Sequence, residues 1–249
     1  MAVTFSSIRL GQFTYFSQQL GEPVWRGKNV LDFGGNVGNI LRDSNSTIDH
    51  ERYWCLDVDR ESVEQGEACY PKSHWLFYNR YCFFFNPHGI PNLPLPDMGE
   101  TFDYVVAFSV FTNTSQTDML QLVGQLEDIV ATNGALAFTF IDPYEFSWGR
   151  QNQRNNFQWR LDLEVERGNV SANDAQKLDN QAQNADWFTL VNGNDLYVET
   201  EDVRPCEPEQ QKTYHVFHTA AYMKTLFPRA AILPPVNNEM QHCCVIRKR

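Results

Sequence analysis

The sequence predicts a doubly wound α/β fold, and three observations carry that prediction. Short, unbroken apolar runs recur through the first half of the chain. An amphipathic helix with its own start signal separates two of them. The first run ends in a glycine-rich turn, Gly34-Gly35-Asn36-Val37-Gly38. Unbroken runs of this kind suit a sheet covered on both faces. Strand, amphipathic helix and strand in succession make a right-handed crossover unit.

Taken in order, NVLDF (29–33) reads as a buried strand and RYWCLDV (52–58) as a second. HWLFYN (74–79) is a weaker third, FDYVVAFSV (102–110) a strong fourth and ALAFTFID (135–142) a fifth. Ser115 and Asp118 form a Ser-x-x-Asp capping box, after which Met119, Leu122, Val123, Leu126, Ile129 and Val130 fall on one helical face. Asn133-Gly134 is expected to stop that helix.

Composition shifts near Trp148, and 151–186 is rich in Asn and Gln. A second capping box, Ser171 with Asp174, predicts a helix over 171–183, and Asn192-Gly193 between alternating segments predicts a hairpin. A helix is expected from about Thr219 to the residue before Pro228, then two strands in AAILPPV (230–236) and QHCCVIRK (241–248). Residues 1–145 and 213–249 are thus expected to form the core, with 1–28 a candidate N-terminal lid. Residues 146–212 are expected to be an α+β insertion over the pocket side of the sheet, acting as a substrate-binding cap.

The totals narrow the function classes. The 249 residues are 42% hydrophobic and 20% charged, as in an ordinary globular protein, with a formal charge of −11. Basic residues cluster only briefly, at Arg247-Lys248-Arg249 and from Arg150 to Arg160, so a polynucleotide partner is not expected; a small-molecule or peptide acceptor fits better. No apolar run approaches membrane-spanning length, and no signal-type segment opens the chain. None of the six cysteines forms a CxxC pair, and His215-x-x-His218 lacks the spacing and the Glu of a zinc site, so no metal is expected and a reducing cytoplasm is the simplest setting. Oligomeric state is left open.

In an open α/β sheet, ligands bind beyond the C-terminal ends of the strands. A dinucleotide site wants G-x-G-x-x-G after the first strand, and starting at Gly34 two of those three positions are Asn36 and Asn39. VLDFGGNVGNIL instead resembles the first motif of class I S-adenosylmethionine (SAM)-dependent methyltransferases, (D/E)-x-G-x-G-x-G. Asp32, Gly34 and Gly38 match it; Asn36 replaces the middle glycine, and Asn tolerates positive φ. Asp57, closing the second strand, stands where the family binds the ribose hydroxyls.

The resemblance covers about 29–142 and, more loosely, 213–249. It implies a seven-stranded, mostly parallel sheet with an antiparallel last strand. It also implies SAM as cofactor, held by Asp32, Gly34, Gly35, Asn36, Gly38, Asn39, Asp57, Val58, Phe108, Ser109 and Phe111. On the third strand the family's adenine-binding Asp is missing, and Asn79 stands nearest, with Arg80 and Tyr81 beside it. Tyr78 and Tyr81 either stack on adenine or fill the core.

Methyl transfer needs positioning above all, and a base only for some acceptors. His215 and His218 are candidate general bases, and Asp142 and Tyr144, ending the fifth strand, are further catalytic candidates. Asn113, Trp148, Trp159 and Trp187 are candidate acceptor contacts; the tryptophans either line a pocket or form the core of the insertion. The expected function is methylation of a small molecule or modified peptide, at oxygen. A silent SAM-binding protein, an N- or C-methyltransferase and a nicotinamide oxidoreductase are the alternatives.

Overall fold

The computed structural model describes residues 11–145, 154–192, 196–202, 213–236 and 240–249. At its centre lies β1 (Val30–Phe33), four residues buried on both faces. It pairs in parallel with β2 (Tyr53–Asp57) on one side and β4 (Phe102–Ala107) on the other. Outside these, β3 (His74–Phe77) pairs in parallel with β2, and β5 (Val130–Phe140) in parallel with β4. The chain therefore winds one way from β1 and then the other, leaving a switch point between β1 and β4.

A second sheet comes from the insertion: β6 (Trp187–Asn192) lies between β7 (Leu196–Glu199) and β8 (Thr213–His218), antiparallel to both. The chain then returns to the large sheet, where β10 (His242–Arg247) runs antiparallel to β5 and β9 (Ala231–Leu233) antiparallel to β10. The large sheet thus has the order β3-β2-β1-β4-β5-β10-β9.

Alternation along the strands divides the core in two. Val30, Val106 and Val245 face α1 (Gln12–Leu20) and α2 (Asn39–Asp43), packing with Tyr15, Phe16 and Ile40. Leu31, Phe33, Val105 and Phe138 face the other way, onto Met119, Leu122 and Leu126 of α4 (Gln116–Asp128) and Met223 of α7 (Ala220–Leu226). The α4 start is as its capping box predicts: the Ser115 hydroxyl accepts from the Asp118 amide at 3.2 Å. On β2 and β3, α3 (Arg60–Cys69) packs so closely that a Cβ on Gly66 would meet the Trp75 ring at 2.1 Å.

Three expectations are corrected. Asn133-Gly134 does not end α4. The helix stops at Asp128, and the pair lies inside β5, where Asn133 takes φ +64° and donates its amide to the Lys248 carbonyl, while the Lys248 amide donates to the Gly134 carbonyl. The boundary at 213 also moves, because β8 pairs along its length with β6 and belongs to the insertion sheet; the core resumes at α7. Finally, α1 is no loose lid: Tyr15 and Phe16 are fully buried on Phe108, and the Tyr15 hydroxyl donates to the Gln241 carbonyl at 2.9 Å.

The insertion forms its own core between α5 (Asn156–Glu166), α6 (Ala172–Ala182) and one face of the three-stranded sheet. Phe157, Phe188 and Phe217 meet there with ring centroids 4.7–5.4 Å apart. Asp202 fastens the insertion to the core by accepting from the first amides of α4, Gln116 at 2.9 Å and Thr117 at 2.8 Å. That carboxylate also complements the positive end of the helix.

Candidate functional site

A cleft of about 320 Å³ opens beyond the C-terminal ends of β1, β2 and β4. That volume lies within the range of small-molecule sites. Its floor begins with the turn after β1, where Gly34 (φ +74°), Asn36 (φ +53°) and Gly38 (φ +83°) all lie in the left-handed region. At Gly34 a Cβ would also strike the Val110 side chain at 2.4 Å, so only glycine serves. Asn36 tolerates its φ and adds a contact that glycine could not make. Its Nδ2 donates to the Ser62 hydroxyl at 2.9 Å, tying the turn to the start of α3.

That contact sets an expected result. Asn36→Gly keeps the backbone and loses one bond, costing about 1 kcal/mol. Asn36→Ala loses the bond and adds left-handed strain of about 1–2 kcal/mol. Urea unfolding should therefore rank wild type above Asn36→Gly and Asn36→Gly above Asn36→Ala; equal midpoints for the two variants would refute this account of the turn.

Asp57 closes β2 at the cleft wall. Its carboxylate accepts from the Asn36 amide at 2.7 Å through one oxygen and from the Asp59 amide at 2.8 Å through the other. Each oxygen keeps a second lone pair for a ligand. Burial pushes this carboxyl up to about 6, against the pull of those amides. Behind it lies Asp32, fully enclosed, accepting from the Tyr53 hydroxyl at 2.7 Å; burial pushes it up to about 7. Asn39, at the first position of α2, lines the cleft with a buried Oδ1 that has no hydrogen-bond partner among the described residues. Such an atom is costly unless a ligand donates to it.

The other wall comes from the end of β4 and the segment after β3. Phe108, Ser109 and Val110 line the cleft, and Ser109 is held at φ +61°. A buried network fixes that strained residue: its amide donates to Thr139 Oγ1 at 2.7 Å, and its hydroxyl accepts from Gln241 Nε2 at 3.1 Å. Arg80 lines the cleft and donates to the Leu93 carbonyl, to Asp118 and to Gln121. Val58, Tyr81 and Asn113 also face the cleft.

Several expected site residues are elsewhere. Phe111 is fully buried against Phe33 and Phe138, a core residue and not a cofactor contact. Asn79 points outward and accepts from Asn86 at 3.1 Å. Asp32, Gly35 and Gly38 support the turn from behind it; a Cβ on Gly35 would meet the Asp32 carboxyl at 2.6 Å. Asp142 is a cap, accepting from the Tyr144 amide at 2.9 Å and from the Ala220 amide at 2.7 Å. The Tyr144 hydroxyl donates to the carbonyls of Ala182 and Ala185.

His215 alternates with Tyr214 on β8 and is half-buried, its ring 6.4 Å from that of Phe84 between centroids; burial and the charges of Arg160 and Arg167 take it down to about 3. His218 is enclosed between Trp187 and Tyr222, and burial takes it down to about 4. Neither lines the cleft, nor do Trp159 and Trp187; Trp148 lies outside the described residues. Sequence reasoning missed Tyr214, which the opposite face of β8 sends into the cleft beside Phe83, and Gln12 of α1. Period-two alternation in YHVFH was the available signal for Tyr214; Gln12 had none.

The strand order and the antiparallel β10 are those of the class I SAM-dependent methyltransferase fold. Solved structures match across almost the whole chain. One is the glycopeptide N-methyltransferase MtfA with S-adenosylhomocysteine: TM-score 0.53, 8% identity, covering 95% of this chain and 88% of that one. Another is SAM-bound CalS10, an amino pentose methyltransferase from Micromonospora echinaspora: TM-score 0.53, 11% identity, 96% and 92% coverage. A third is a SAM-dependent methyltransferase from Clostridium acetobutylicum: TM-score 0.51, 12% identity, 95% and 90% coverage. At such identities the likeness is one of fold. No family model matches the sequence, and no curated protein does. Among the described residues no helix is long and apolar enough to cross a membrane, and no group of three or more His, Cys, Asp or Glu side chains could hold a metal ion.

Proposed function

We propose that this protein binds SAM and transfers its methyl group to a small-molecule or peptide acceptor. The observation that carries the reading is the pairing of Asp57 with the left-handed Gly34–Gly38 turn across one cleft. The residues fit the cofactor. Asp57 has lone pairs for both ribose hydroxyls, and the orphaned Asn39 Oδ1 suits the amino group of the methionine portion. Val58 and Tyr81 flank the place for adenine, while Phe108, Ser109 and Val110 floor the place for the sulfur. Bound there, the cofactor supplies an activated methyl group with a neutral leaving group.

What the chain itself contributes is orientation and exclusion of water. Ser109, locked by Thr139 and Gln241, fixes the edge of the site, and the apolar walls of Phe33, Val110 and Tyr214 desolvate it. The neighbours' names, a glycopeptide and an amino pentose methyltransferase, support acceptors of small-molecule or peptide size. A histidine base, which an alcohol or phenol acceptor would want, finds no support in the placement of His215 and His218.

Titration calorimetry with SAM, S-adenosylhomocysteine and NAD tests the reading. Binding of the first two, and of NAD not at all, is the expected result; NAD binding alone would overturn it, and SAM binding without turnover of any acceptor would leave a silent SAM-binding protein.

A further inference from the structure

Building on the methyl-transfer reading, we propose that the acceptor atom is an amine nitrogen carried on an apolar or aromatic body. The chain has six histidines. His50 meets Tyr70 edge-on, His74 stacks on Trp54, and His88 is exposed. His215 and His218 are placed as described, and His242 is buried against Phe140, near Glu145. All six are described residues, and none lines the cleft. An alcohol or ordinary phenol therefore meets no imidazole to take its proton.

The other titratable groups of the cleft are Asp57, Asp59, Asp118, Tyr78, Tyr81, Tyr214 and Cys82. Asp118 is paired with Arg80 and accepts from Ser115; Asp59 accepts from Ser62; Asp57 takes two amides. Burial pushes Tyr78, Cys82 and Tyr214 upward, away from ionisation near neutral pH.

An acceptor that arrives already anionic would need a cation. Arg80 is the one Lys or Arg among the described residues of the cleft, and its guanidinium is already committed to Asp118, Gln121 and the Leu93 carbonyl. Three carboxylates against one guanidinium repel a carboxylate and attract an ammonium. Aromatic faces act in the same direction. Phe83 lies 6.0 Å from Tyr214 between centroids, and Phe85, more than half exposed, stands at the mouth.

An amine satisfies all of this. It enters as an ammonium, loses its proton to water, and its lone pair needs no protein base. Nitrogen forms the bond to the methyl carbon while the carbon–sulfur bond breaks. The electron pair of that bond stays on sulfur, giving a neutral thioether, and the methylated ammonium leaves with the positive charge.

The test uses the full chain saturated with S-adenosylhomocysteine and three probes on one scaffold: tryptamine, tryptophol and indole-3-acetate. Calorimetry should show tryptamine binding at least tenfold tighter than indole-3-acetate, and incubation with methyl-labelled SAM should put label on nitrogen ahead of either oxygen. Equal or undetectable discrimination between amine and carboxylate, or label on oxygen, overturns the proposal. Failure of S-adenosylhomocysteine itself to bind is a different result, which sinks the methyl-transfer reading beneath it.

Discussion

Asp57→Ala is expected to remove measurable affinity for SAM and for S-adenosylhomocysteine while leaving the protein folded. The carboxylate has one lone pair on each oxygen left for a ribose hydroxyl. Hydrogen bonds to a charged group are worth about 1.5–3 kcal/mol each, so losing two weakens binding roughly 100- to 10,000-fold. The same change leaves the Asn36 and Asp59 amides without their acceptor, which also loosens the turn. Asp57→Asn separates the two effects, because it can keep one acceptor oxygen while losing the charge, and should fall between wild type and Asp57→Ala. Circular dichroism and a urea midpoint establish folding. Since burial holds Asp57 at about 6, wild-type affinity should also fall as the pH drops through 6. Unchanged affinity in a folded Asp57→Ala would remove the ribose assignment.

The parts of this protein legible in its sequence are those written in local chemistry. A capping box specifies where α4 begins, because a Ser hydroxyl and an amide three residues on must meet. The same holds for α6, with Ser171 and Asp174. Gly34, Asn36 and Gly38 announce a left-handed turn, and the structure has φ positive at all three. Long-range pairing was not legible. Nothing in Thr213–His218 says that its partner is Trp187–Asn192, so β8 looked like part of the core and His215 and His218 like cleft residues. Once the register is known, strand alternation decides the matter: Tyr214 and Val216 face Phe83, while His215 and Phe217 turn the other way. Asp142 misled for a related reason. A carboxylate at a strand end looks catalytic until the helix whose amide it caps, α7, is seen 78 residues further along.

Apoprotein stability should fall as the pH rises from about 4 to about 7, and Asp32→Asn should remove much of that fall. Asp32 is 2% exposed, and its carboxyl titrates at about 7 in the folded chain against 3.8 when unfolded. Its folded state therefore holds the proton more tightly than the unfolded state does. The contribution to stability is full below pH 4 and is lost on the way up through pH 7. At 1.36 kcal/mol for each pH unit, the loss is about 4 kcal/mol. Asn carries no such proton, and its amide oxygen can still accept from the Tyr53 hydroxyl. Asp57 contributes a slope of the same sign, ending near 6, so the variant keeps part of the dependence. Urea unfolding of both proteins at pH 5 and pH 8 reads out the contribution of Asp32 together with its coupling to Asp57. Identical pH dependence would mean that Asp32 is ionised at no cost, with a partner beyond Tyr53. Cofactor binding would act on the same group from outside: a sulfonium held in the cleft would favour the ionised carboxyls, so SAM should stabilise the protein more at pH 8 than at pH 5.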